Sequence, residues 1–175
     1  DNQQATTMFA MGWLVGFIEG EGSFILNKQV FRKQKPTLRP IVHLSSTDFE
    51  LSERAGRVLK SLSIGHFFQR RKLGAKGHKD QLVLEIVGIK RCKPLLEKII
   101  PYMTDSRRRD AAKNLLAFCD LRLSKPYSSQ YGEEEFNIGQ RQRDLNGYKL
   151  RQSFRDSTRD VFDYKTKVES TYLGN

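Results

Sequence analysis

The run GWLVGFIEGEGSF, residues 12–24, constrains the fold more than any other stretch of the chain. It reads as an apolar helix, yet glycine recurs at Gly12, Gly16 and Gly20, every fourth residue. A glycine inside a helix costs about 1 kcal/mol relative to alanine. Three on one stripe leave a helix face without side chains, which lets another backbone approach closely. Spacing alone leaves open whether that backbone belongs to the same domain or to a second copy. The run then ends in Glu19, Glu21, Gly22 and Ser23, where a strand should begin. If two such helices cross, two copies of Glu21 meet, and they repel unless divalent cations lie between them.

Periodicity orders the rest. A helix is predicted over 8–20 and strands over 23–33 and 38–46, joined by a turn at 34–37 into a long hairpin. Thr47 and Glu50 read as a capping box with Asp48 in the first turn. The helix that follows carries Leu51, Ala55, Val58, Leu59 and Leu62 on one face. Strands over 66–72 and 80–88 form a second hairpin around a Gly- and Lys-rich loop at 73–79. A short helix is predicted between Pro94 and Pro101. A longer one starts near Asp105 and turns Ala111, Ala112, Leu115, Phe118 and Cys119 inward. The order is αββαββαα, an α+β chain with an antiparallel sheet and helices on one face. Residues 124–139 turn polar and read as a linker. The charged remainder reads as a basic extension that packs on or near a core domain of residues 1–123.

Partners follow from charge. Lys and Arg number 31 against 20 acids, a net charge of +11 and a pI near 9.8. Such a balance points to a polyanion, nucleic acid first, although solubility alone also produces basic chains. No apolar stretch reaches the roughly 18 residues of a membrane span, and no basic amphipathic helix suggests a membrane surface. Cys92 and Cys119 lie beside apolar residues, as buried thiols in a reducing compartment do. His43, His66 and His78 are not at zinc-ligand spacing with either. The chain opens with Asp1, as a piece of a longer reading frame would, and shows no signal-peptide pattern.

LVGFIEGEGSF resembles the motif of the LAGLIDADG homing endonucleases position for position from Leu14 to Gly22, and the helix–strand–strand–helix order around it agrees. The resemblance covers roughly residues 8–120. It implies the family's saddle-like sheet and, because the motif occurs once, an intron-encoded homodimer whose motif helices pack at Gly12, Gly16 and Gly20. It further implies double-strand cleavage of a long pseudo-palindromic DNA site by Mg²⁺-dependent hydrolysis. Ca²⁺ is expected to support binding without efficient cutting. Glu21 matches the metal-binding carboxylate, with the Gly20 carbonyl as companion, while Glu19 matches the acid that more often helps structure the helix end. Asp48 falls where the family places a water-positioning polar residue, and its other reading is a helix-dipole partner. Arg107 falls near the family's basic position, with Ser106 and Arg108 as alternatives. An organelle, mitochondrion before chloroplast, is expected by family analogy alone. An intron RNA maturase and a cleavage-dead DNA-binding repressor remain the rival readings.

Strand alternation from Ser23 puts Ile25, Asn27, Gln29 and Lys33 on one face. Arg39, His43 and Ser45 join them from the second strand, and Gln69 and Arg71 from the second hairpin. Amide, guanidinium and imidazole groups can read base edges in a major groove, which admits a β-ribbon. Lys28, Lys72, Lys76 and Lys79 suit phosphates, which fix register without reading sequence.

Overall fold

In the computed structural model, residues 2–30, 35–72 and 79–147 are described. The order is α1 (Asn2–Glu21), β1 (Gly22–Gln29), β2 (Thr37–Ser46), α2 (Phe49–Ser61), β3 (Phe67–Arg71), β4 (Gln81–Val87), α3 (Ile89–Ile99), a 3₁₀ turn (Ile100–Tyr102), α4 (Ser106–Ser124) and α5 (Glu133–Leu145). The four strands form one antiparallel sheet in the order β1-β2-β4-β3. β1 and β2 alternate in burial, β4 carries adjacent buried residues, and β3 is exposed along its whole length. Phe24, Leu26, Leu38, Val42, Leu44, Leu84 and Ile86 point to the helices and are buried. α1 adds Leu14, Val15, Phe17 and Ile18 to that core, and α4 adds Ala111, Ala112, Leu115, Phe118 and Cys119. The α+β class, the antiparallel sheet and the first eight elements therefore stand as predicted.

Strand β1 starts directly from the last residue of α1, with no loop between them. Gly22 permits this: a Cβ there would lie 2.4 Å from the Ile18 carbonyl oxygen, a contact that no side chain tolerates.

α1 starts at Asn2 rather than at residue 8, and three further features differ from the sequence expectation. Asp48, not Thr47, caps α2: its Oδ1 accepts from the backbone N–H of Glu50 at 3.0 Å and of Leu51 at 3.4 Å. A carboxylate at the positive helix end satisfies two orphan donors there. α3 begins at Ile89 rather than after Pro94. Buried Cys92, Leu95, Leu96 and Ile99 hold its inner face, and burial of that stripe outweighs the hydrogen bond the proline removes. The third difference is α5, which begins in the stretch read as a linker, 124–139, and runs on into the charged remainder.

Helix α5 is polar in composition because its buried groups are polar. Glu135 is fully buried and pairs with Arg122 at 2.9 Å and Lys125 at 3.0 Å, while its Oε2 accepts from Gly132 N–H at 3.0 Å. Gln142 Nε2 donates to the Phe24 carbonyl of β1 at 2.9 Å, and Asn146 Nδ2 donates to the same oxygen at 2.7 Å. Asn114 of α4 donates to Gln142 Oε1 at 2.8 Å and to the Ile138 carbonyl at 3.0 Å. Gly139 meets Leu38 so closely that a Cβ would lie 3.1 Å from Leu38 Cδ1. α5 thus covers edge strand β1, whose free carbonyl would otherwise invite another strand.

Burial opposes ionisation of Glu135, but the hydrogen bonds from Lys125, Arg122 and Gly132 N–H outweigh it and hold its carboxyl at about 2, from an ordinary 4.5. A depressed folded pKa contributes stability that is complete above the unfolded value and lost as pH falls through the folded one. Denaturant unfolding should therefore show the protein losing stability relative to Glu135→Gln between about pH 4.5 and 2. At neutral pH the variant should be less stable by about 3–5 kcal/mol, the cost of breaking a buried ion pair. A constant difference across that window would remove Glu135 as the anchor of α5.

Candidate active site and nucleic-acid face

The helix end that carries the two acids separates their tasks. Glu19 is turned back into the fold. Its Oε1 accepts from Thr104 N–H at 2.6 Å and Asp105 N–H at 2.8 Å, and its Oε2 from the Thr104 hydroxyl at 3.1 Å. Asp105 in turn caps α4 through Arg108 N–H at 2.6 Å. Glu19 therefore fixes the start of α4 beside the end of α1. That is the structural task expected of the first acid.

Glu21 is the opposite case. It is exposed, and among the described residues it has no hydrogen-bond or ion-pair partner. It stands at the negative end of the α1 dipole, with no basic residue in the last turn. A carboxylate there is disfavoured by roughly 0.3–1 kcal/mol. Carboxylate and terminal helix carbonyls together form a set of hard oxygen donors suited to a divalent cation. Gly20, the expected carbonyl donor, is exposed beside it. Among the described residues no three His, Cys, Asp or Glu side chains gather as a metal cluster. One chain offers one such acid.

The pairing of Gly22 with Leu44 sets this helix end against the end of β2, from which Thr47 and Asp48 follow. Asp48 is exposed, with one carboxylate oxygen committed to capping α2. Arg107 donates through Nε to the Leu145 carbonyl at the end of α5, 2.8 Å away. Arg109 is turned inward to the Met103 carbonyl at 3.3 Å. Arg108 is half-buried, and its guanidinium has no hydrogen-bond partner among the described residues. Of the candidates at the start of α4, Arg107 is thus also the clasp of α5, a link invisible without that helix.

The glycine stripe lies open. A Cβ on Gly12, Gly16 or Gly20 would meet nothing within 4 Å. Met8 and Phe9, about one turn before the stripe begins, are 62% and 70% exposed. Trp13 stacks on Phe17 at 5.4 Å and lies under the Arg54 guanidinium at 4.3 Å. Among the described residues nothing covers the stripe, so none of them makes the close contact that the glycine spacing implies.

The face of the sheet turned from the helices carries the predicted side chains together. Register aligns Asn27 with Arg39, Gln29 with Thr37, Ser45 with Val83, Val83 with Gln69, and Gln81 with Arg71. Asn27, Arg39, Gln69 and Arg71 are exposed, while Gln29, His43 and Ser45 are half-buried. Lys33 and Lys76 lie outside the described residues. Lys72 and Lys79 are exposed at the ends of β3 and β4. Lys28 belongs to the opposite parity, and its ammonium lies 5.9 Å from the Phe136 ring centroid of α5, on the helical side. Sequence reasoning missed Glu85, which pairs with His43 at 2.9 Å in the middle of this face. The signal was a lone acid in an otherwise apolar strand, VLEIV.

No protein-family model matches the chain, and no curated protein matches its sequence. Solved structures do. The homing endonuclease I-TnaI superposes with a TM-score of 0.57 at 17% identity, over 78% of this chain and 92% of that one. I-CvuI, solved with its DNA target in the presence of Ca, gives 0.54 at 20% identity over 66% and 68%. The LAGLIDADG homing endonuclease I-GzeII, in complex with a DNA target, gives 0.54 at 17% over 77% of this chain but only 43% of that one. The fold is that of the LAGLIDADG homing endonucleases.

Proposed function

We propose that a chain with this fold, ending its glycine-striped helix in an exposed and unpartnered Glu21, is a LAGLIDADG homing endonuclease that cuts duplex DNA as a homodimer. The observation that carries this reading is the state of Glu21. A carboxylate set against the helix dipole with no partner among the described residues is an incomplete site, and a second copy across the glycine stripe supplies the other half. Two Glu21 carboxylates and two Gly20 carbonyls would hold divalent cations, with Mg²⁺ the proposed metal. Such cations activate water and stabilise the leaving oxygen of a phosphodiester. The protein's own groups have three tasks. Glu19 keeps α4 in place, so that positive charge from Arg107 and Arg108 faces the scissile phosphate and offsets charge developed there. Asp48 retains one carboxylate oxygen to orient water. The outer sheet face lies in the major groove, with Asn27, Gln29, Arg39, His43, Ser45, Gln69 and Arg71 toward base edges. The pseudo-palindromic form of the target follows from the two-fold axis. Origin in a mobile intron of an organelle belongs to the same proposal.

Selection from randomised DNA duplexes, followed by cleavage in Mg²⁺, tests it. A single long site with two-fold related halves should emerge, cut on both strands. Affinity should fall by about 10³-fold or more between 50 and 200 mM salt if six or more phosphates are contacted. Arg71→Ala should relax preference at one position per half-site, costing about 1–3 kcal/mol there if the arginine is bidentate to a base. A uniform loss across all sequences would make Arg71 a phosphate contact. Failure to cut any duplex, with binding confined to intron RNA, would replace the nuclease reading with a maturase.

A further inference from the structure

A carboxylate lies at the middle of a face otherwise suited to a polyanion. Register runs one row across all four strands: Ser23 on β1, His43 on β2, Glu85 on β4 and Phe67 on β3. Within it, His43 Nδ1 and Glu85 Oε1 are 2.9 Å apart, with the side chains 16% and 21% exposed. The ring nitrogen must be the donor, since the carboxylate only accepts. Among the described residues no lysine or arginine pairs with Glu85, and its Oε2 has no hydrogen-bond partner. Glu85 is thus a held acceptor with one oxygen committed to His43 and one free, on the side away from the helices.

We propose that Glu85 is a base-selecting residue, positioned by His43, that accepts from the exocyclic amino group of cytosine or adenine at one position in each half-site. The inference rests on the DNA-cleaving reading above. In the major groove cytosine N4 and adenine N6 present donors, whereas guanine O6 and thymine O4 present acceptors. A carboxylate facing O6 or O4 would oppose acceptor to acceptor, so it rejects guanine and thymine as firmly as it selects the other two. Repulsion from neighbouring phosphates is the cost of the charge, and only a base donor at this position offsets it. His43, held through Nδ1, limits the swing of the carboxylate and so sharpens the choice.

The test is the base preference of the full chain, measured by selection from randomised DNA duplexes for the wild type, Glu85→Gln, His43→Gln and His43→Leu. Thermal melting confirms that each variant folds. The wild type should prefer cytosine or adenine over guanine and thymine by about tenfold or more at one position in each half-site. Glu85→Gln, nearly the same size but able both to donate and to accept, should lose that preference at that position alone. Affinity for the best site should hold or rise. His43→Gln, which still donates to Oε1, should keep more of the preference than His43→Leu, a difference that a merely structural role would not produce. Selective binding by the wild type with an unchanged profile in Glu85→Gln overturns the inference and leaves the nuclease reading intact. No selective binding by the wild type overturns both.

Discussion

Replacing Glu21 by glutamine should leave DNA binding intact and reduce cleavage by several orders of magnitude. The substitution removes the charge while keeping size and one hydrogen-bonding oxygen. Glu21 makes no hydrogen bond or ion pair among the described residues, so the fold loses nothing when its charge goes. It stands against the dipole of α1 with no basic residue in that turn, so thermal stability should hold or rise slightly. Binding should hold or tighten as well, because a carboxylate beside phosphates is repelled by them. Only chemistry should collapse, since the cation loses its ligand and with it the activated water. Binding and nicking measured on one target, in Mg²⁺ and in Ca²⁺, separate these effects. Ca²⁺ should support wild-type binding without efficient cutting. Near wild-type cleavage by Glu21→Gln in Mg²⁺ would overturn the assignment.

Gly16→Leu should convert the protein to a folded, inactive monomer. A Cβ at Gly16 meets nothing within 4 Å among the described residues, which leaves room there for leucine. Leucine also raises helix propensity by nearly 1 kcal/mol over glycine. The isolated fold should therefore be as stable as the wild type or more so. Between two copies the same side chain would hold the helices apart, and cleavage should be lost together with the dimer. Sedimentation reads the state of assembly. Trp13 is the only tryptophan of the chain and lies on α1 between Gly12 and Gly16, so its fluorescence reports the same contact. A wild-type monomer that cuts both strands would overturn the dimer, and loss of stability in Gly16→Leu would return the stripe to a contact within the domain.

These two expectations draw on different sources. Elements whose burial is periodic were legible from sequence: the helix through Leu14, Val15 and Ile18, the first hairpin with its alternating strands, and α4 with Leu115 and Phe118. In each, the side chains that leave water recur at the period of the backbone. Glu21 and the outer-face side chains Asn27, Arg39, His43, Gln69 and Arg71 followed from the motif and from strand parity, and parity survives folding because register cannot shift by one residue without turning the core outward. Helix α5 was not legible, because Glu135, Gln142 and Asn146 are polar groups whose partners lie far along the chain. Acids at 133–135 and Arg143 near the other end were its only local sign, a charge order that suits a helix dipole.

The sequence by itself determined the order of elements, the split between core face and outer face, and the chemistry gathered at the end of α1. Local propensity and the periodic burial of side chains suffice for those. Tertiary structure alone decided the division of labour between the two motif acids, with Glu19 bound to Thr104 and Asp105 and Glu21 without a partner among the described residues. It alone decided that Arg107 clasps α5 and that Glu85 meets His43 on the neighbouring strand. Each of these is a polar contact whose partner is set by packing rather than by neighbours in the chain. A hydrogen bond depends on the position of one atom to within a few tenths of an ångström, and no one-dimensional pattern carries that information.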